Sequence, residues 1–194
     1  MTVLYLARHG QSDWNAANRF QGHTDRPLTD LGRKQADALA RELAPIALAA
    51  IYSSPLLRAF DTAEAVAAGR DLGVVAEDGL REVDVGSWAG LTRAEVEERY
   101  PAGFRRWIDG GEGWEDGETY DRMSTRVLAT TLRIVRAHEH AEILVVSHGG
   151  PIRAIHAAAE GMTVHEYRRL SPVEPNARLT RVVVDDGRFA RLGS

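Results

Sequence analysis

The sequence predicts an α/β fold in three layers, with a mostly parallel sheet between two layers of helices and an antiparallel strand at the sheet edge. Three observations support this fold class. Short apolar runs with no polar face, Val3–Ala7 and Ile143–Ser147, are typical of strands buried on both sides. Longer segments with helical apolar spacing alternate with such runs. Near the end of the chain, Asp185-Asp186-Gly187 separates two β-rich runs, which predicts a hairpin.

The elements of the first half follow from apolar spacing and from helix-capping residues. Thr29 is a good N-cap for a helix whose apolar residues recur as far as Leu43. Pro55 is expected in the first turn of the next helix, because proline is favoured there. In chain order we predict a strand at Val3–Ala7, a helix from Thr29, a strand at Ala50–Ser53, a helix from Ser54-Pro55 through Ala67, and a strand at Val74–Ala76.

In the second half, two capping boxes mark the starts of helices. They are Thr92 with Glu95 and Thr163 with Glu166, and the first helix is expected to end near Pro101. Residues 109–117, rich in glycine and acidic side chains, are predicted to be flexible. The remaining predicted elements are a long helix from about Glu118 to Ala137, the strand Ile143–Ser147, a helix after His148, and hairpin strands Leu179–Val184 and Arg188–Leu192.

Length and composition are those of one globular domain. We expect a single domain over residues 1–194, with a small cap or insertion around residues 91–120. The net charge of −4 argues against nucleic acid or an anionic membrane as the partner. The absence of cysteine excludes disulfides, thiolate nucleophiles and zinc–thiolate sites. Because no secretory leader or membrane-length apolar run is visible, we expect a cytoplasmic protein.

Two predicted strands each end in a histidine followed by glycine. The first gives Arg8-His9-Gly10 and the second gives His148-Gly149-Gly150. Ligands of open α/β sheets bind at the carboxyl ends of the strands, where both histidines are expected. An arginine beside one of them favours a phosphate as the ligand. Taken alone, however, a histidine at a strand end is more often an ordinary hydrogen-bonded residue.

Five sequence blocks together resemble the signature of the histidine phosphatase superfamily, which contains the cofactor-dependent phosphoglycerate mutases. A lone Arg-His-Gly would be weak evidence, but these blocks follow the family's order over nearly the whole chain. They are Arg8 to Asn15 with Phe20-Gln21-Gly22, Pro27-Leu28-Thr29 with Gly32 and Gln35-Ala36, Ser53 to Ala59 with Thr62-Ala63, Leu80-Arg81-Glu82 with Gly86 and Gly90-Leu91, and Ser147 to Gly150.

The resemblance implies that His9 attacks phosphorus and forms a transient phosphohistidine. This step needs a neutral imidazole, so we expect the other ring nitrogen to donate to a backbone carbonyl and nearby arginines to disfavour the protonated ring. Glu82 is implied as the general acid and base. Arg8, Arg58 and His148 are implied as ligands of the phosphoryl oxygens, and the further substrate contacts are Asn15, Gln21, Gly22, Ser12 and Gly149.

Within the family, the sequence favours the phosphatase branch. Mutases carry a longer insertion before the final histidine, whereas Asp116 to Thr119, with Arg122 and Arg126 downstream, resembles the Gly-Glu-Ser element of phosphatases. The resemblance therefore implies a phosphomonoesterase without metal or cofactor that hydrolyses a small phosphorylated metabolite, such as a sugar phosphate or a phosphoglycerate derivative. A 2,3-bisphosphoglycerate-dependent phosphoglycerate mutase is the alternative, and an inactive scaffold member is a third. A homodimer is expected from family resemblance alone.

For several other residues, the sequence is compatible with both a role at the site and a purely structural role. Three tryptophans either form a substrate wall or, more commonly, pack in the core. The acidic segment Glu112 to Asp116 would repel polyanionic substrates if it borders the site. The three tryptophans are Trp88, Trp107 and Trp114. A second contact to an anionic substrate could come from Arg81, Arg93, Arg105 and Arg106. His23 could border the pocket, and His156 is expected to pack in the core.

Overall fold

A six-stranded sheet forms the centre of the computed structural model, which describes residues 1–192. Its strands are β1 (Thr2–Arg8), β2 (Ala50–Ser53), β3 (Val74–Ala76), β4 (Glu142–Ser147), β5 (Leu179–Asp185) and β6 (Arg188–Arg191). The spatial order is β3-β2-β4-β1-β5-β6. The first four strands are mutually parallel, and β5 and β6 run antiparallel to their neighbours. The predicted mostly parallel sheet with an antiparallel edge is confirmed.

Helices cover both faces of this sheet. They are α1 (Asp13–Ala16), α2 (Asp30–Leu43), α3 (Leu57–Ala67), α4 (Arg93–Arg99), α5 (Pro101–Ile108), α6 (Tyr120–Ala137), α7 (Gly149–Ala159) and α8 (Val164–Leu170). The three predicted caps are confirmed, since the hydroxyls of Thr29, Thr92 and Thr163 each accept a backbone N–H of the first helical turn.

The alternation of side chains along β1 separates two apolar layers. Leu4 and Leu6 belong to the cluster that contains Met123 of α6 and Ile155 of α7. Tyr5 and Ala7 point to the opposite cluster, which α2 and α3 complete with residues such as Leu39. Because both faces of the strand are buried, the sheet lies between two helical layers, as predicted.

Two helix starts differ from the sequence prediction, and two short helices were not predicted. The helix expected from Ser54-Pro55 begins at Leu57, because Ser54 N still donates to the Val146 carbonyl of the sheet at 3.0 Å. Pro101 ends one helix, as expected, but also occupies the first turn of α5, which was not predicted. The long helix begins at Tyr120, not near residue 118, because Thr119 caps it. The one-turn helix α1 was missed, since four residues carry no apolar period.

The register between β1 and β4 brings the two predicted histidines together. Arg8 lies opposite Ser147, so the next residue of each strand leaves the sheet at the same edge. Gly10 then passes so close to α2 that an added Cβ would lie 2.4 Å from the Gly32 carbonyl oxygen. The absence of a side chain at Gly10 therefore permits this close approach to α2.

Residues 91–120 contain α4, α5 and the segment that connects α5 to α6. Trp88 is fully buried beneath them, with ring centroids 5.1 Å from Phe20 and 5.6 Å from Trp114. The carbonyls of Gly110 and Gly111 accept hydrogen bonds from Arg168 of α8. Within residues 1–192, no helix combines the length and the apolar character needed to cross a bilayer.

Candidate active site

A cavity of about 580 Å³ opens where β1 and β4 end. Most of the predicted site residues line it, namely Arg8, His9, Asn15, Gln21, Gly22, Arg58, Glu82 and Gly149. Ser12 and His148 are buried and lie outside the lining itself. The structure therefore brings side chains from three of the five sequence blocks, and the backbone of Gly149 and Gly150 from a fourth, around one space.

His9 is held as a neutral imidazole with one nitrogen available. Its Nδ1 lies 2.7 Å from the Gly10 carbonyl oxygen and donates to it, which leaves the lone pair of Nε2 free. Burial lowers the pKa of His9 well below its usual range, and the charges of Arg58 and Arg8 lower it further. The expected carbonyl partner and the expected effect of the arginines are both confirmed.

Arg58 is 1% exposed and is fixed by two backbone carbonyls. Its Nη1 donates to Thr24 and its Nη2 donates to Gly22, each at 2.9 Å. Burial lowers the pKa of Arg58 to about 10, which still leaves it charged at neutral pH. Arg8 is fixed in the same way, with Nη1 donating to the Glu174 carbonyl at 2.7 Å.

The cavity carries a large excess of positive charge. Six arginines line it against a single carboxylate, that of Glu82, within the described chain. Of these arginines, Arg19 forms an ion pair with Glu95, and none of the other five has an ion-pair partner in residues 1–192. Uncompensated charge in a partly buried cavity is costly unless an anion binds there. The six arginines are Arg8, Arg19, Arg58, Arg93, Arg153 and Arg168.

His148 lies beside His9, with ring centroids 5.0 Å apart. Its Nε2 is 2.8 Å from the Ser54 hydroxyl, and its buried Nδ1 has no hydrogen-bond partner in the described chain. Burial lowers the pKa of His148 well below its usual range, and Arg58 lowers it further. When the Ser54 hydroxyl donates to Nε2, Nδ1 carries the ring proton and is left as a donor for a ligand.

Ser12 has a different place from the one predicted. It is fully buried, and its hydroxyl lies 3.1 Å from Oδ1 of Asn15 and 2.7 Å from Oε1 of Gln21. The Ser12 N–H also donates to the same Asn15 oxygen. Because both amide oxygens face Ser12, the NH₂ groups of Asn15 and Gln21 remain as donors at the cavity. The geometry thus gives Ser12 an orienting position behind the two amides.

Glu82 is fixed by both its carboxylate and its backbone. Its Oε1 accepts from Val83 N at 2.9 Å and from Gly150 N, in the first turn of α7, at 3.1 Å. Its carbonyl oxygen accepts from His23 Nε2 at 2.7 Å and from Arg126 Nη2 at 2.8 Å. The carboxylate is therefore held in the same cavity as the free nitrogen of His9.

Two residues singled out from the sequence act behind Glu82 and not at the pocket rim. His23 is absent from the cavity lining and holds the Glu82 carbonyl. Arg126 also donates to the carbonyls of Gly79 and Arg81 and forms an ion pair with Glu118 at 2.7 Å. The Gly-Glu-Thr element at residues 117–119 thus anchors the loop that carries Glu82.

Several open alternatives are resolved by the cavity lining. Trp107 and Trp114 line the cavity, whereas Trp88 is a core residue. The side chains of the acidic residues Glu112, Glu115 and Asp116 do not line it. His156 is buried and hydrogen-bonded to Thr180, as expected for a packing residue.

The four arginines considered for a second anion contact have different places in the structure. Arg93 lines the cavity, but Arg105 does not, and Arg81 and Arg106 form ion pairs with Asp78 and Glu115 elsewhere. Arg153 and Arg168, which the sequence analysis missed, are present instead. Arg153 follows Gly149 and Gly150 by one helical turn, and that spacing could have placed it on the same face. No sequence signal identified Arg168.

Known proteins resemble this chain along most of its length. The model of the histidine phosphatase superfamily (branch 1) matches residues 4–193. Phosphoserine phosphatase 1 of Hydrogenobacter thermophilus is 38% identical over 169 residues, which cover 86% of this chain and 80% of that protein. The solved structure of Bacillus stearothermophilus YhfR has a TM-score of 0.92 at 34% identity, covering 98% of this chain and 95% of the other. A mycobacterial glucosyl-3-phosphoglycerate phosphatase, solved with VO₃, has a TM-score of 0.89 at 30% identity, covering 97% and 96%.

Proposed function

Because this chain belongs to the histidine phosphatase superfamily (branch 1), we propose that it is a phosphomonoesterase that hydrolyses a small phosphorylated metabolite through a phosphohistidine on His9. Two relatives support the substrate class, since one is named for phosphoserine and another for glucosyl-3-phosphoglycerate. The cavity, at about 580 Å³, has room for a metabolite of that size.

One observation carries the proposal. The free Nε2 of a neutral, buried imidazole shares a cavity with two fixed guanidinium groups that have no carboxylate partner within residues 1–192. A neutral ring supplies the electron pair, and the guanidinium groups of Arg8 and Arg58 supply positive charge for the phosphoryl oxygens. A structural role for either arginine would not need both groups to open onto the same space.

In the first step, Nε2 of His9 forms a bond to phosphorus as the bond from phosphorus to the ester oxygen breaks. Glu82, in its protonated form, gives its proton to that oxygen and becomes a carboxylate, so the alcohol leaves neutral. The donors proposed to hold the phosphoryl oxygens are the two arginines, Nδ1 of His148 and the amides of Asn15 and Gln21, and the backbones of Gly22 and Gly149 border the same space.

In the second step, Glu82 takes a proton from a water molecule, whose oxygen attacks the phosphorus. The bond from phosphorus to Nε2 breaks, inorganic phosphate leaves, and His9 returns to its neutral form. The fixed charges need little rearrangement between the two steps, because each guanidinium is already tied to backbone carbonyls.

Hydrolysis of p-nitrophenyl phosphate in the presence of EDTA tests the proposal. We expect turnover by the wild type and its loss in His9→Ala, with the fold retained by circular dichroism. No turnover of any phosphomonoester by the folded wild type would overturn the phosphatase and favour a scaffold. With 3-phosphoglycerate and a trace of 2,3-bisphosphoglycerate, phosphate release should outpace formation of 2-phosphoglycerate; the reverse order would favour the mutase.

Other expectations from the sequence remain proposals. We propose that residues 1–194 act as one domain with residues 91–120 as its cap, although residues 193 and 194 lie outside the described part. A cytoplasmic location and a homodimer are proposed on the same basis, the sequence and the family resemblance.

A further inference from the structure

Beyond Glu82, the cavity continues to two arginines that the phosphoryl chemistry does not use. Arg153 lies one turn along α7 from Gly150, whose N–H holds the Glu82 carboxylate. Arg168 lies on α8, the helix that packs against α7. Both guanidinium groups line the same cavity as His9.

Burial and neighbouring charges shift the pKa values of both arginines. Burial lowers the pKa of Arg153, the neighbouring Arg168 lowers it further, and Tyr120 and Glu82 partly oppose this. Burial also lowers the pKa of Arg168, while Tyr120 and Glu112 raise it. Arg153 lies on α7, whose first turn holds the Glu82 carboxylate through Gly150 N, whereas Arg168 lies on α8 and donates to the Gly110 and Gly111 carbonyls.

Neither arginine has its hydrogen-bonding capacity filled within the described chain. Arg153 donates from Nη2 to the Ser171 carbonyl at 3.0 Å, and Arg168 donates from Nη1 to the Gly110 and Gly111 carbonyls. In both residues Nε is buried without a partner. The Arg168 guanidinium also stacks on Tyr120, 3.8 Å from the ring centroid, which fixes its plane.

A purely structural role does not explain this arrangement. Loop anchoring accounts for the bonds to carbonyls, but it does not require two arginines from packed helices to line one cavity with no ion-pair partner in residues 1–192. Their mutual repulsion and burial are unfavourable unless an anion lies between them.

We propose that Arg153 and Arg168 form a second anion subsite, which binds a carboxylate on the alcohol part of the substrate. The inference rests on the proposed function, because it takes the ester oxygen to lie at Glu82. The alcohol then extends past Glu82 towards Arg153. Each guanidinium has already given one Nη to a carbonyl, and the remaining donors suit the two oxygens of a carboxylate. The preferred substrates are therefore phosphate esters of small hydroxy acids and not those of neutral alcohols.

A matched pair of substrates isolates the carboxylate. 3-Phosphoglycerate and glycerol 3-phosphate differ by a carboxylate in place of a hydroxymethyl group. We expect the wild type to prefer the first in kcat/KM by about tenfold or more, and Arg153→Gln and Arg168→Gln each to reduce that ratio by about tenfold. Arg169→Gln, an exposed change of equal charge on the same helix, should leave the ratio within about twofold.

The outcomes separate this subsite from the proposed function. If the wild type turns over neither ester nor p-nitrophenyl phosphate, the phosphatase itself fails. If His9-dependent turnover is present but the substrate ratio is unchanged in both arginine variants, the subsite alone is wrong.

Inhibition of p-nitrophenyl phosphate turnover by the two esters tests the subsite in the wild type, without any variant. We expect 3-phosphoglycerate to inhibit at least about tenfold more tightly than glycerol 3-phosphate, and equal inhibition constants would overturn the subsite.

Discussion

The two ends of the cavity are built differently. At the strand end, His9, His148 and Arg58 are almost completely buried and fixed by hydrogen bonds to the sheet edge and to nearby loops. At the helix end, Glu82 and Arg153 are partly exposed and depend on one loop and on α7 for their positions. In the proposed mechanism, attack on phosphorus therefore takes place at the buried, rigid end, whereas departure and choice of the alcohol depend on the more exposed, adjustable end.

Arg58→Lys is expected to give the largest effect, because it changes the rigid end. The lysine keeps one charge but cannot hold the Gly22 and Thr24 carbonyls together while facing the phosphoryl oxygens. We expect kcat/KM to fall about a hundredfold for every phosphomonoester, whatever its leaving group. Steady-state kinetics with p-nitrophenyl phosphate and an alkyl phosphate measure this.

The exposed Arg33→Lys change provides the control, because this side chain pairs with Asp30 at the surface. It should retain wild-type kinetics. Near wild-type activity of a folded Arg58→Lys variant would instead remove Arg58 from the phosphate ligands, and the rigid end would lose its central charge.

Gly150→Ala tests the helix end with a smaller effect. An added Cβ would lie 2.4 Å from Oε1 of Glu82 and 2.8 Å from Sδ of Met123, so it would displace the carboxylate without meeting any backbone. We expect kcat/KM for alkyl phosphates, which reports the steps up to departure of the alcohol, to fall by about ten- to a hundredfold. The kcat/KM of p-nitrophenyl phosphate should be affected less, because its leaving group needs little protonation.

Gly73→Ala is the matched control, since nothing lies within 4 Å of its added Cβ. Equal losses of both substrates in Gly150→Ala would contradict a leaving-group role for Glu82. Such a result would place Glu82 with the phosphoryl ligands of the rigid end.

The smallest expected effect is on the pH dependence of the unfolding free energy, which depends on the buried histidines. Burial lowers the pKa of His156 to about 4. Between about pH 6.5 and pH 4, the unfolded chain therefore binds a proton on this residue that the folded chain does not bind. This contribution is intact above about pH 6.5 and is lost as the pH falls towards 4. His9 and His148 act in the same direction.

Urea unfolding between pH 7.5 and 4.5 measures this effect. His156→Gln should reduce the pH dependence of the unfolding free energy by about 1.4 kcal/mol per pH unit in the acidic range. An unchanged slope would mean that His156 is not held neutral by the fold.

The same contrast explains what sequence alone could predict. The strand end follows from short local patterns, since His9 and His148 each end an apolar run and parallel pairing sets them side by side. The helix end depends on contacts between distant segments, such as Arg168 with Gly110. Nothing local in the sequence marks such a pair. For the same reason Ser12 was predicted to touch the substrate, although its hydroxyl is directed at two neighbouring amides.

Trapping the covalent intermediate is the decisive test of a phosphohistidine on His9. The enzyme is mixed with p-nitrophenyl phosphate, quenched within milliseconds in alkali to preserve phosphohistidine, and mapped by peptide mass spectrometry. We predict one phosphoryl group on the peptide that carries His9, and more of it in Gly150→Ala, where water activation is slowed. A phosphoryl group on His148, or turnover with no phosphorylated histidine at any quench time, would contradict the account.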